Sequence, residues 1–182
     1  KNNIKNKAFT SIIASGTNAT TLHYEDNNSD IQENSLLLMD VGAEFEYYAA
    51  DVSRTIPTSG TFTDEQRKYY EIVLKANKEV INYIKPGMTF KELNEYAKKV
   101  LSDELIKDGL IKDIDELERY YYHSVSHPLG LDTHDLRESA STIKEGMVIT
   151  VEPGLYIKEK GIVVFVDVRN NYYKNIIDEI KW

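Results

Sequence analysis

The segment LLLMDVGAEFEYYAADVSRT ends an apolar, strand-like run with Asp40 and places Asp51 eleven residues later, beyond a turn around residues 42–47. A lone carboxylate at the end of such a run is costly to bury. Strand-like stretches on both sides predict a hairpin, and a symmetric register sets Asp40 directly opposite Asp51. Like charges facing each other on paired strands destabilise the pair unless a shared positive charge keeps both ionised. A divalent metal ion supplies that charge. The alternative is that one aspartate caps the turn and the other faces solvent, since Asp is common in turns.

The remaining sequence narrows the choice. With 182 residues, 41% of them hydrophobic and 29% charged, the chain is expected to form one soluble domain over residues 1–182. Its 30 acidic and 22 basic side chains give a net charge of −8, which disfavours nucleic acid as a partner. No apolar run approaches the roughly 20 residues that span a membrane. Without cysteine there is no disulfide, thiolate zinc site or cysteine nucleophile, so any metal must sit on oxygen and imidazole. The opening KNNIKNK lacks a signal peptide's apolar core, and a cytoplasmic location is expected; it also lacks an initiator Met, as an excised piece of a longer chain would.

AFTSIIAS reads as a strand, GTNATTLHYEDNNSD as a polar loop carrying His23. Thr63 with Gln66, and Thr89 with Glu92, are capping boxes that each open an amphipathic helix, the first stopping at Pro86 and Gly87, the second near Gly109. IDELERYYY predicts a short third helix. MVITVEPGLYI and GIVVFVDV read as strands with a turn at residues 158–161, which makes the class α+β.

Three further histidines fall within YYHSVSHPLGLDTHD: His123, His127 and His134. A single histidine is most often a hydrogen-bonded structural residue, but clustering beside Asp132 and Asp135 points to a site. The spacing of 123 and 127 matches helical zinc sites, yet Ser124 stands where that motif needs Glu, and Pro128 and Gly130 make the segment a cleft-lining loop. Glu152 and Asp167 each interrupt an apolar strand. A metal or an arginine would keep Glu152 ionised there; otherwise it merely starts the turn at Pro153. Asp40, Asp51, His127, Glu152 and Asp167 together suit a pair of Mn²⁺, Co²⁺, Fe²⁺ or Zn²⁺ ions. Two such ions share a water, lower its pKa and polarise a carbonyl, so a hydrolase is plausible.

In this order the residues resemble the catalytic domain of the Xaa-Pro aminopeptidase (aminopeptidase P) and prolidase family, from AFTSIIASGTNATTLHY through LLLMDVGAEFEYYAADVSRTIP and SHPLGLDTHD to GMVITVEPGLYI. The resemblance implies a pita-bread fold, a curved antiparallel sheet covered by helices, and hydrolysis of the bond between an N-terminal residue and a following proline. It implies two divalent ions, most often Mn²⁺, on Asp40, Asp51 (bridging), His127, Glu152 and the position of Asp167. Glu152 would also orient or deprotonate the water, while His23, His123 and His134 would line the substrate pocket and assist proton transfer.

The chain departs from the family pattern in two ways. The final strand usually reads GIGIRIED, whereas GIVVFVDV puts Phe165 for the arginine and Asp167 for the bridging glutamate. The shorter Asp side chain falls back by roughly 1.5 Å, and errors of about 1 Å can cost on the order of 100-fold in rate. The alternative function is therefore a weakened or inactive pita-bread domain that binds peptides or proteins. The second departure is that the family's amino-terminal domain, and the first helix and strand of the pita-bread domain, have no counterpart. An uncovered sheet edge would then favour a homo-oligomer.

Overall fold

The computed structural model describes residues 6–138 and 141–166. Among the described residues, eight strands and two long helices form an α+β arrangement with antiparallel pairing throughout the sheets. β1 (Asn6–Lys7) pairs with β4 (Ala43–Phe45), which pairs with β5 (Tyr48–Ala49). β2 (Ile12–Ser15), β3 (Leu36–Val41) and β6 (Val52–Pro57) form a second sheet, with β3 in the centre. β7 (Gly154–Ile157) and β8 (Ile162–Phe165) form a third pair.

The hairpin register differs from expectation. The chain reverses at Glu46 and Tyr47, whose φ angles of 50° and 71° make a two-residue turn of the kind that matches strand twist. Phe45 therefore pairs with Tyr48, and continuing the register sets Asp40 opposite Ser53 rather than Asp51. Asp51 precedes Ser53 by two residues, so it remains a diagonal neighbour of Asp40 on the same face. That face of β6 is unusual: Asp51, Ser53 and Thr55 are all buried, while Val52, Arg54 and Ile56 are not. Each inward hydroxyl has a partner. Ser53 donates to Asp40 Oδ1 at 2.9 Å, and Thr55 Oγ1 donates to the carbonyl and accepts from the N–H of Phe165, both at 3.0 Å, tying β6 to β8.

α1 (Asp64–Tyr83) and α2 (Phe90–Asp108) begin at the expected caps, Thr63 and Thr89, each with both hydrogen bonds of the capping box. Gly109 ends α2 in the left-handed region, φ 80°, where a side chain would be strained. The expected third helix is only a 3-10 stretch, Ile114–Arg119, because Tyr120 and Tyr121 leave the spiral to bury their rings.

β7 and β8 are buried on both faces. Leu155, Ile157, Ile162 and Val164 pack against Tyr69, Ile72, Val73 and Leu105 of the helices. Tyr156, Val163 and Phe165 pack on the other side against Ile12, Ala14 and Leu38. The segment from Met147 to Pro153, expected to be one strand with β7, instead runs extended beside residues 125–129. Leu129 N donates to Val148 O, Thr150 N to His127 O and Glu152 N to Val125 O, at 2.8–3.0 Å. Pro153 has no N–H to continue such a ladder. This pairing sets His127 and Glu152 on adjoining segments. Among the described residues, no helix is long and apolar enough to cross a membrane.

Candidate metal and peptide site

Asp51, His127 and Glu152 converge at one end of a 410 Å³ cleft between the β2–β3–β6 sheet and the 123–137 loop. Their ligating atoms all lie within 4.8 Å of one another. His127 Nε2 stands 3.3 Å from Asp51 Oδ2 and 3.3 Å from Glu152 Oε1. Its other nitrogen, Nδ1, lies 2.9 Å from the carbonyl of Pro128. A carbonyl only accepts, so Nδ1 carries the hydrogen, and in neutral imidazole Nε2 turns a lone pair toward two carboxylate oxygens. Three such atoms facing one another call for a shared positive charge, a proton on Nε2 or a metal ion, and one imidazole with two carboxylates is a donor set that suits a divalent metal.

Asp40 supports the same reading. Burial, and then the neighbouring Asp51 charge, push its pKa up from 3.8 to about 6, although the Ser53 hydroxyl pulls the other way. In a metal-free site this carboxyl therefore keeps its proton up to about pH 6, and a bound cation would favour the ionised form. Asp167 lies outside the described residues.

The other expected histidines also line this cleft. His123 is the most enclosed: its ring meets Tyr121, Tyr156 and Phe165 edge-on, with centroids 5.1, 5.6 and 5.1 Å away. Burial lowers its pKa to about 4, so it is neutral at physiological pH. Nδ1 sits 3.0 Å from Ser124 O and so carries the hydrogen, leaving Nε2 as an acceptor with no partner among the described residues. Gly154 makes room for it, since a Cβ at that position would come 2.9 Å from His123 Nε2 and 2.8 Å from the Phe165 ring. His134 is exposed, with its ring 4.4 Å from that of His127, and burial by its surroundings moves its pKa downward. His23 is exposed and adopts φ 55° in the loop after β2. Gly130 lets the 128–135 loop close, because a Cβ there would stand 2.0 Å from Asp135 Oδ2.

Tyr156 and Ser126 complete the wall without having been singled out from the sequence. Tyr156 reads there as one more core aromatic of a strand, and its contact with His123 depends on the β7–β8 register. Phe165, standing where the resemblance implies an arginine, is buried against His123 and Tyr156 and gives the cleft an apolar side.

Comparison with known proteins agrees with this geometry. The model of metallopeptidase family M24 matches residues 1–169. A Haemophilus influenzae Xaa-Pro aminopeptidase is 40% identical over 163 residues, covering 84% of this chain and 38% of that protein. Among solved structures, an aminopeptidase P candidate from Bacillus anthracis superposes with a TM-score of 0.89 at 52% identity, over 92% of this chain and 40% of its own. A variant of Escherichia coli aminopeptidase P solved with substrate gives 0.86 at 32% identity, over 92% and 42%. The chain thus spans about two fifths of the length of these relatives.

Proposed function

Because the chain belongs to metallopeptidase family M24 and has the pita-bread α+β fold of the aminopeptidase P structures, we propose that it releases the N-terminal residue of peptides whose second residue is proline. The observation that carries this reading is the convergence of Asp51, His127 and Glu152 in a cleft lined by three further histidines. Asp40, Asp51, His127, Glu152 and Asp167 would hold two divalent ions, Mn²⁺ being the first to test, within a single catalytic unit. When bound there, such ions would acidify a water toward neutrality and polarise a carbonyl.

The chain's own groups do the rest. Glu152 takes a proton from the attacking water and returns it to the proline nitrogen, which must be protonated to leave. His123, neutral and with Nε2 accepting, takes a hydrogen bond from a substrate N–H or ammonium group. His23 and His134, on the open side, hold the peptide. The buried aromatic wall of Tyr156 and Phe165 excludes water from the far side.

The test is release of the first residue from X-Pro-Y peptides with added Mn²⁺. Release that disappears in Glu152→Gln is expected. No release, together with no ion bound at micromolar concentration, overturns the reading. Phe165 favours a second one, a domain that binds peptides without cleaving them. In that case Phe165→Arg with Asp167→Glu sharply raises a negligible rate.

A further inference from the structure

Asn77 is a polar residue inside the apolar stripe of α1. Val73, Ala76 and Val80 surround it on the helix, and all four are 0% exposed. Burying a carboxamide there is costly unless its hydrogen bonds are made. Its Oδ1 has no partner among the described residues, but its Nδ2 donates to two carbonyls, Val151 O at 2.7 Å and Val166 O at 3.3 Å, so one amide joins the Glu152 segment to the end of β8.

The first of these bonds acts on a candidate ligand. Val151 O and Glu152 N belong to the same peptide plane. Asn77 holds the oxygen edge of that plane, while the nitrogen edge donates to Val125 O at 2.8 Å. Val125 is itself fixed by α2: its N–H donates to Asn94 Oδ1 at 3.0 Å, which also receives the Tyr121 hydroxyl at 3.1 Å. A peptide plane held on both edges cannot rotate freely, and its orientation sets the direction in which the Glu152 side chain leaves the backbone. The second bond holds the carbonyl of Val166, just past β8.

We propose that Asn77 is a positioning residue for the metal site, acting through the Val151–Glu152 peptide rather than by touching an ion or substrate. The inference rests on the metallopeptidase reading above. Groups that orient ligands from behind typically contribute about 10–100-fold in metal affinity. Neither an apolar residue of similar size nor a smaller one can replace both bonds.

The experiment compares Mn²⁺ titrations of the unaltered protein, Asn77→Leu, Asn77→Gln and Val73→Ala. Val73 is equally buried one turn earlier on α1 and holds no carbonyl, so Val73→Ala controls for lost stability. Asn77→Leu is expected to weaken Mn²⁺ binding at least about tenfold and to speed hydrogen exchange at the Glu152 amide. Asn77→Gln, which keeps both donors, restores binding to within about threefold, and Val73→Ala lowers Tm without changing affinity. If Asn77→Leu does not fold, the contrast between Asn77→Gln and Asn77→Ser, which has a single donor, carries the same comparison. Unchanged affinity in Asn77→Leu or Asn77→Ser, or an equal loss in Val73→Ala, overturns the proposal and leaves the peptidase reading intact. An unaltered protein that binds no Mn²⁺ and releases no residue from X-Pro-Y peptides overturns both.

Discussion

Ser53 donates a 2.9 Å hydrogen bond to Oδ1 of Asp40 across the β3–β6 pair, yet burial and the Asp51 charge still push the Asp40 pKa up to about 6. One hydroxyl does not offset burial combined with the charge of Asp51. In the metal-free form the two neighbouring carboxylates carry an electrostatic cost.

That cost has a sign. The folded pKa of Asp40 lies above its ordinary 3.8, so the contribution of this group is fully present below pH 3.8 and is lost as pH rises through about 6. Asp40→Asn is therefore expected to stabilise the metal-free protein at pH 7 by on the order of 2 kcal/mol, and to give almost no gain at pH 3.5. Under the proposed function the same change removes a candidate ligand and is expected to weaken Mn²⁺ binding. Urea unfolding in the presence of a chelator, at both pH values, measures the first effect; a lower midpoint for Asp40→Asn at pH 7 would contradict it.

His123 behaves in the opposite way. Its folded pKa, about 4, lies below the ordinary value of 6.5, so its contribution is present above pH 6.5 and is lost as pH falls toward 4. Imidazole NMR titration of the metal-free protein should show His123 neutral down to about pH 5 with the hydrogen on Nδ1. An imidazole midpoint above 6 would contradict the burial of this ring.

Gly154→Ala tests the room left for His123. The added Cβ meets the ring nitrogen and Phe165 at under 3.0 Å, so something must shift. The expected outcome is a fall in kcat/KM of about 100-fold with Mn²⁺ affinity nearly unchanged, because Gly154 lies beside the histidine and not among the ligands. Steady-state kinetics and ion titration on one preparation separate the two. Equal losses in both would mean that the whole β7–β8 pair has moved.

The hairpin turn is open to improvement. Glu46 and Tyr47 hold φ angles of 50° and 71°, and Tyr47 is 79% exposed, so neither conformation is compensated by packing. Replacing them with Asn and Gly is expected to raise stability by about 1 kcal/mol while leaving peptidase activity unchanged. Thermal unfolding reads the first and the X-Pro-Y assay the second. By contrast, Thr63→Ala removes a cap bond at the start of α1 and should cost about 1 kcal/mol.

Local chemistry made much of this protein legible from its sequence. Thr63 and Gln66, Thr89 and Glu92, and the apolar spacing that follows them specify α1 and α2, because capping and helical periodicity act within a few residues. The types of the site residues were legible too, since a carboxylate or a histidine cluster interrupting an apolar pattern needs a reason wherever it lies. Register was not legible. Whether Asp40 faces Asp51 or Ser53 depends on which two residues take positive φ, and Glu46 and Tyr47 carry none of the usual signals for it.

The tertiary structure alone decided how those residues meet. Residues 125–129 pair with 148–152 through main-chain groups common to all residues but proline, so the sequence grouped His127 with Glu152 by ligand type but left the pairing that sets them side by side to the fold. Asn77 did leave a trace, a polar residue at a position where the α1 stripe is apolar, but its partners come from segments 74 and 89 residues away. Hydrogen bonds between distant segments are made by the folded arrangement, and composition and spacing along a chain do not encode them one residue at a time.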